Sequence, residues 1–508
     1  MHNADRVIVV GAGIAGLATA LRLAPLPVTL IAGKPLGEGA ATALAQGGIA
    51  AAIGQDDCAA LHAEDTVAAG AGLSRPDVAL RVAEAAAPAI DWLIGLSAPF
   101  DRNDRGELAL GLEAAHCRRR IAHAGGDKTG LMVLQALIRA ARAAPHIAIM
   151  ENLRVIELLR DDSGQIAGIA ATTANAEIAR FPARALVLAT GGIGGLYAST
   201  TNPPGAVGSG LALAARAGAV MRDMEFVQFH PTAIAAGAHP MPLATEALRG
   251  EGAILIDERG ERFMQGIPGG ELAPRDVVAR AIHRQIAAGH SVSLDARISG
   301  LERRFPGVVA LCHANGIDPT RHPIPVRPAA HYHMGGIAVN AAGASSVPGL
   351  WACGEVASTG LHGGNRLASN SLLEALAFAR WIAEDIRSAP SRPASAPLRL
   401  SRRDGPGTSA FDALRALMDS TVGVERYAEG LTHVAGWLHQ LATQGDDRAI
   451  VALMIATGAL LREESRGGHY RTDFPHPAPG AMHSETTLDA TLRIAADISE
   501  ANTDLRVA

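Results

Sequence analysis

Cysteine is scarce: Cys58, Cys117, Cys312 and Cys353 stand far apart in 508 residues, with no CxxC pair. That spacing excludes a disulfide framework and a cysteine-rich metal centre, and it fits a reducing cytoplasm; no metal site is expected. Lysine occurs only at Lys34 and Lys128, while arginine is abundant, so a lone arginine says little about function. Aromatic residues make up 3% of the chain, so the cores must be built from small aliphatics. The apolar runs are cut by Arg, Gly or Asp before they reach the ~18 residues that a membrane span needs. The opening MHNADRVIVVGAG carries an early acid and lacks a basic n-region and cleavage site, so it does not read as a signal peptide. A one-signed field is also missing. With 45 basic and 50 acidic residues the formal charge is −5, which argues against nucleic acid as the main partner.

What is present points to a nucleotide. At 48% hydrophobic, the chain is long enough for two or three cores. The β-branched run RVIVV (6–10) enters GAGIAGLATALRLA, which has helical spacing, and VTLI (28–31) follows at βαβ distance. Gly11, Ala12, Gly13, Ile14, Ala15 and Gly16 therefore form G-x-G-x-x-G between a strand and a helix. The glycines allow a tight turn, and a pyrophosphate can sit on the helix N-terminus. Where an acid would hold the ribose after VTLI, the chain has Ala32-Gly33-Lys34, so the contact falls to backbone or to Lys34. A second turn after an apolar strand carries Thr190-Gly191-Gly192, and a third carries Cys353-Gly354-Glu355. Three such turns in this order favour FAD over NAD.

Other strands are expected at 154–158, 165–171 and 185–190, with a turn at DDSG. Residues 253–264 read as a two-stranded hairpin, and 349–356 as a strand ending in Gly-Glu. Helices are expected around 76–95, 128–143 and 371–386, and over much of 411–466 and 487–501. The stretch 388–410 is rich in Pro, Ser and Arg without periodicity and reads as an irregular connection.

AQGGIAA (45–51), MEFVQFHPTAI (224–234), TEALRGEGAIL (245–255), APRDVVARAI (273–282), PAAHYHMGGIAV (328–339) and TGLHGGNRLASNSLLEAL (359–376) resemble the succinate dehydrogenase/fumarate reductase flavoprotein family. The resemblance covers nearly the whole chain apart from 388–410. It implies an α/β FAD-binding domain of two-dinucleotide-binding, Rossmann-like type, an inserted α+β capping domain and a C-terminal helical domain. The divisions expected are 1–222 and 336–388 for the FAD-binding domain, 223–335 for the cap, 389–404 for the linker and 405–508 for the helical domain. Further FAD contacts are implied at Ala41, Thr42, Ala43, Leu44, Ala45, Gln46, Gly47 and Gly48, and at Ser371 and Leu372.

Two elements select a branch of the family. Glu113-Ala-Ala-His116-Cys-Arg-Arg-Arg120 and Glu464-Ser-Arg-Gly-Gly-His469-Tyr-Arg-Thr-Asp473 resemble the members that act on L-aspartate. The implied reaction is hydride transfer from C2 of L-aspartate to FAD, giving iminoaspartate, with oxygen or fumarate as acceptor. It is the first step of de novo NAD biosynthesis, and handover of product to a quinolinate synthase is left open. A dicarboxylate needs cationic or donor groups at both ends. Arg366 and His331 suit one carboxylate, because arginine offers a bidentate fork; His230 and Thr245, with Glu246 beside it, suit the other. Arg275 is implied as the proton-transfer residue. A guanidinium pKa above ~12 makes that role depend on a relay, the alternative being stabilisation of developing charge.

Glu113 separates substrates. Succinate and fumarate carry only negative charge, whereas aspartate adds an ammonium that a carboxylate can balance. The structural alternative is a loop glutamate paired with Arg118 or Arg119. Two departures from the family matter. Respiratory members attach FAD through a His just before A-Q-G-G, where this chain has Ala41-Thr42-Ala43-Leu44, so FAD is expected to be noncovalent. The usual G-D-G is Gly208-Ser209-Gly210 here, which removes one acidic FAD contact. A respiratory electron-transfer subunit, an FAD-dependent RNA-modifying protein and a noncatalytic flavin sensor are the competing readings. Leu44 and Glu113 oppose the first, the net charge the second, and the paired His and Arg motifs the third.

Overall fold

The computed structural model describes residues 5–173, 175–389 and 410–507. Its first core is organised by a five-stranded parallel sheet in the order Leu350–Ala352, Ala185–Leu188, Val7–Val10, Val28–Ile31, Ile147–Met150. The middle strands are buried along their whole length, which is why they read as continuous aliphatic runs rather than alternating ones. Helix Ile14–Arg22 leaves the first strand and packs against Asn370–Ser388 and Thr129–Ala143. The edge strand Ile147–Met150 is half-exposed and was not anticipated. Residues 76–95 form two helices, Pro76–Glu84 and Ala86–Gly95, rather than one. Pro88 has no N–H to donate, and its ring would clash with the Glu84 carbonyl of a continuous helix.

Arg154–Arg160, Ile166–Thr172 and Ile178–Pro182 form a separate antiparallel meander. Asp161 shapes the DDSG turn, its Oδ1 accepting from the backbone N–H groups of Ser163 and Gln165. The third strand has no fully buried residue and lacks the buried-exposed alternation that announces a strand.

Between the last two strands of the parallel sheet the chain builds a second hydrophobic core. Its antiparallel sheet runs Val227–Ile234, Ile324–His333, Val292–Asp295, Ile254–Asp257, and it packs with helices Arg275–Ala287 and Pro306–Ala314 around Leu255, Val278, Ile282 and Leu294. The expected hairpin at 253–264 is corrected to one strand: Ile254–Asp257 pairs with Val292–Asp295. Beyond Asp257 a tight turn carries the chain to Met264, which is fully buried in this core.

Helices Phe411–Thr421, Ala428–Thr443, Asp447–Leu461 and Leu488–Val507 follow. Buried Leu414, Leu438 and Leu453 continue the first core, where Asp447–Leu461 packs against helix Ser209–Arg216. Most of the expected linker (390–409) lies outside the described residues. Among the described residues, no helix is long and apolar enough to cross a membrane.

Candidate active site

Gly11 adopts φ +110°, and a Cβ there would lie 2.1 Å from the Ala189 carbonyl oxygen; at Gly16 it would lie 1.8 Å from the Gly11 carbonyl oxygen. Only glycine brings the two βα turns this close, and the result is the mouth of a cavity of about 1870 Å3. The helix that starts there has no side-chain cap of its own, but Thr42 Oγ1 accepts from Ile14 N–H at 3.2 Å. Gly11 to Ala15, Lys34, Ala41, Thr42 and Leu44 to Gly48 line the cavity, with Thr190, Gly191, Glu355, Ser371 and Leu372. Two expected contacts do not. Gly16 faces the turn itself, and Ala43 packs on the first core. Ser209 lines the cavity, and so does Glu38, an acid four residues beyond Lys34 that the strand-end pattern did not reveal.

These walls fit FAD. Gln46 Oε1, Thr190 Oγ1 and Arg366 Nε are buried at the cavity without a partner, the condition expected of groups that wait for a polar ligand. Burial pushes the Glu355 carboxyl up to about 7, against the His333 N–H that donates to its Oε1 at 3.0 Å. It is a proton-bearing or hydroxyl-receiving group rather than a bare surface acid.

At the far end the chamber turns cationic. Arg275, the first residue of its helix, donates from Nε to Glu246 Oε2 at 2.5 Å and from Nη1 to Gln228 Oε1 at 3.1 Å. Glu246 also lies 3.5 Å from Arg249, one helical turn on. Arg366 reaches the same Gln228 oxygen from Nη2 at 3.1 Å, donates from Nη1 to Ser371 Oγ at 3.3 Å, and lies over the Tyr332 ring at 4.6 Å. Gln228 thus spaces the two guanidiniums; its own amide donates to Asn365 Oδ1 and to the Arg366 carbonyl, each at 2.9 Å. Gln228 and Arg249 were missed. Alternation along a strand puts Gln228 on the same side as His230, and a helical turn links Glu246 to Arg249, so both were open to detection.

His230 and His331 meet edge to face with ring centroids 5.1 Å apart. Burial, then Arg275, holds His230 well below its ordinary pKa; burial, then Arg366, does the same for His331. Both are neutral at pH 7. His230 Nδ1 accepts from Thr232 N–H at 3.3 Å. Thr201 Oγ1 lies 2.8 Å from His331 Nδ1, and the Ala330 carbonyl already accepts from Thr201 N–H and the Thr200 hydroxyl. The Thr201 hydroxyl is therefore best used toward His331, which leaves the proton of each ring on Nε2, and both residues line the cavity. Burial and then Arg275 lower Arg366 to about 10, which leaves it charged. Burial would raise Glu246, but Arg275 and Arg249 outweigh it and hold the carboxylate below its usual range. Thr245 is buried at the wall beside them.

Glu113 enters from the other side. It is 8% exposed, and its Oε2 accepts from Ser369 Oγ at 2.7 Å. The alternative of pairing with Arg118 or Arg119 is overturned: both are exposed, neither forms an ion pair with Glu113, and Arg118 reaches Asp56 instead. All seven expected catalytic positions line one chamber.

A nucleotide-binding parallel sheet whose cavity ends in neutral imidazoles, guanidiniums and a carboxylate defines a flavoprotein oxidoreductase for small anionic substrates. Residues 6–372 match the FAD binding domain family, and 446–504 match the fumarate reductase flavoprotein C-terminal family. The chain belongs to the L-aspartate oxidase family, within the succinate dehydrogenase/fumarate reductase flavoproteins, and FAD is its cofactor. It is 51% identical to an L-aspartate oxidase of Mesorhizobium japonicum over 96% of this chain and 95% of that one. It is 41% identical to that of Bacillus subtilis over 92% and 91%. Among solved structures it resembles an Escherichia coli quinol fumarate reductase chain, with a TM-score of 0.86, 30% identity, and coverage of 95% and 94%.

Proposed function

We propose that this chain oxidises L-aspartate to iminoaspartate, the first step of de novo NAD biosynthesis, with the seven chamber residues in the roles below. Bound FAD supplies the acceptor for the hydride from C2, and oxygen or fumarate takes the electrons onward. Nε2–H of His230 and His331 and the Arg366 guanidinium hold the substrate carboxylates, with Thr245 completing the donor set. Neutral imidazoles suit this task, since they donate without adding charge beside Arg275 and Arg366, the two guanidiniums already at this end of the chamber.

The proton is handled by Arg275. A free guanidinium is a poor base, but this one hydrogen-bonds a buried carboxylate, so a proton leaving Arg275 has Glu246 beside it and Arg249 beyond. The cap is assigned to 223–335, between FAD-binding segments 1–222 and 336–388, with a helical domain from 405. It brings His230, Thr245, Arg275 and His331 against Glu113 and Arg366, and excludes water as it closes. A flavocytochrome c3 fumarate reductase, 25% identical with a TM-score of 0.61, has been solved in an open conformation. FAD is held without a covalent bond, since the 41–44 turn offers no histidine for the attachment that respiratory members use. Acid precipitation is expected to leave the yellow flavin in the supernatant; flavin in the pellet would overturn this.

The single observation that carries the substrate assignment is the buried Glu113 carboxylate at a site otherwise built for anions. It is a counter-charge for the α-ammonium, which fumarate and succinate lack. Glu113→Gln keeps the shape and removes the charge. It is expected to lower kcat/KM for L-aspartate by roughly 10- to 1000-fold, about 1.4–4 kcal/mol, while fumarate reduction holds or rises. Steady-state rates with both substrates check this. Equal losses in the two reactions would sink the assignment and favour the respiratory-type reading.

A further inference from the structure

Ser369 is an anomaly in the fold. It stands at the N-cap of the 19-residue helix Asn370–Ser388, where serine ordinarily turns its hydroxyl onto the first helical N–H groups, yet it makes no such bond. Its backbone is left-handed, φ 61° and ψ 4°, a conformation in which glycine would be at ease and serine is not. The hydroxyl goes to Glu113 Oε2 at 2.7 Å instead. Its carbonyl accepts from Ala50 N–H at 3.1 Å, which fixes the residue against the strand that follows the A-Q-G-G segment. The Glu113 loop is tied to the same stretch a second time, through His116 Nε2 and the Ala368 carbonyl at 3.0 Å. The other Glu113 oxygen, Oε1, borders Gly47, where a Cβ would lie 3.1 Å from it and 3.3 Å from Ser369 Oγ.

We infer that Ser369 is a positioning residue for substrate choice: it engages one oxygen of Glu113 and so aims the other at the substrate ammonium. The inference rests on Glu113 reading that ammonium. A carboxylate rotates freely about its last bond, and a charge-assisted hydroxyl donor 2.7 Å away removes that freedom. Ser369 lies three residues from Arg366, so the group that aims the ammonium reader and the group that binds a carboxylate belong to one short, rigid turn.

The test is Ser369→Gly in the full-length, FAD-loaded protein, because glycine accepts the left-handed backbone and folding is not at risk. The ratio of L-aspartate to fumarate kcat/KM is expected to fall about tenfold, through KM for aspartate. The melting-temperature rise produced by L-aspartate should shrink, and the rise produced by succinate should persist. In a Glu113→Gln background, adding Ser369→Gly should change the ratio by less than about twofold, since the two act as one unit. If Glu113→Gln lowers the ratio and Ser369→Gly does not, the positioning role is refuted and the ammonium reading stands. If Glu113→Gln leaves the ratio unchanged, both fall. Parallel loss of the two activities in Ser369→Gly would also overturn the proposal, marking a general effect on the FAD-contacting segment.

Discussion

Arg275→Leu is expected to lower kcat by roughly 100- to 10,000-fold with L-aspartate and with fumarate alike, the range associated with a positioned proton-transfer group. The loss should be common to both reactions because each pairs a hydride with one proton, taken from the ammonium nitrogen in aspartate oxidation and delivered to carbon in fumarate reduction. Substrate binding should suffer less, since Arg366, His230 and His331 remain. The substitution also strips Glu246 of its 2.5 Å partner and leaves Arg249 at 3.5 Å as its neighbour. Breaking a buried pair in this way typically costs about 3–5 kcal/mol of stability, so the melting temperature should fall as well. Glu246→Gln separates the two effects. It keeps the acceptor oxygen for Arg275 but cannot take a proton, so a relay predicts a kcat loss approaching that of Arg275→Leu. If Arg275 only stabilises developing charge, Arg275→Lys should retain most of the rate, and Glu246→Gln should be mild. A kcat within tenfold of the parent for Arg275→Leu would remove it from the chemistry altogether.

The legibility of this site follows from how its residues are recruited. The strand–turn–helix at 6–22 declared itself because fully buried parallel strands need unbroken aliphatic runs and the turn needs glycine, both local demands. The residues proposed to touch substrate sit in long motifs, and all of them line the chamber. What escaped were groups whose function exists only through a distant partner. Ser369 lies 256 residues from Glu113, and Gln228 joins arginines 47 and 138 residues away. Thr201 is 130 residues from the imidazole it orients. No periodicity records such pairings. The helix break near Ala85 and the false hairpin at 253–264 have a different origin. In the first, one proline outweighed a continuous helical pattern. In the second, the apolar Phe263 and Met264 looked like a returning strand but anchor a turn onto the second core.

Arg366→Leu carries the largest expected effect on binding. Its guanidinium lies over Tyr332 at 4.6 Å and is tethered by Gln228 and Ser371, while Nε has no protein partner. Such a fork is built to meet a carboxylate edge-on, and lysine would not replace it. Losing a hydrogen-bonded charge partner of this kind typically costs about 2–5 kcal/mol, so KM for L-aspartate and for fumarate should both rise by roughly 30- to 5000-fold. Stability should move the other way. Burial, and then repulsion from Arg275, lower the Arg366 pKa to about 10, so the ligand-free fold holds this charge at a cost. Leucine removes that cost, and the melting temperature without substrate should hold or rise even as binding collapses. The pairing of the two measurements is what decides: weaker binding together with a lower melting temperature would describe damage to the turn at 366–371 rather than loss of a ligand, and an unchanged KM for both substrates would take Arg366 out of the site.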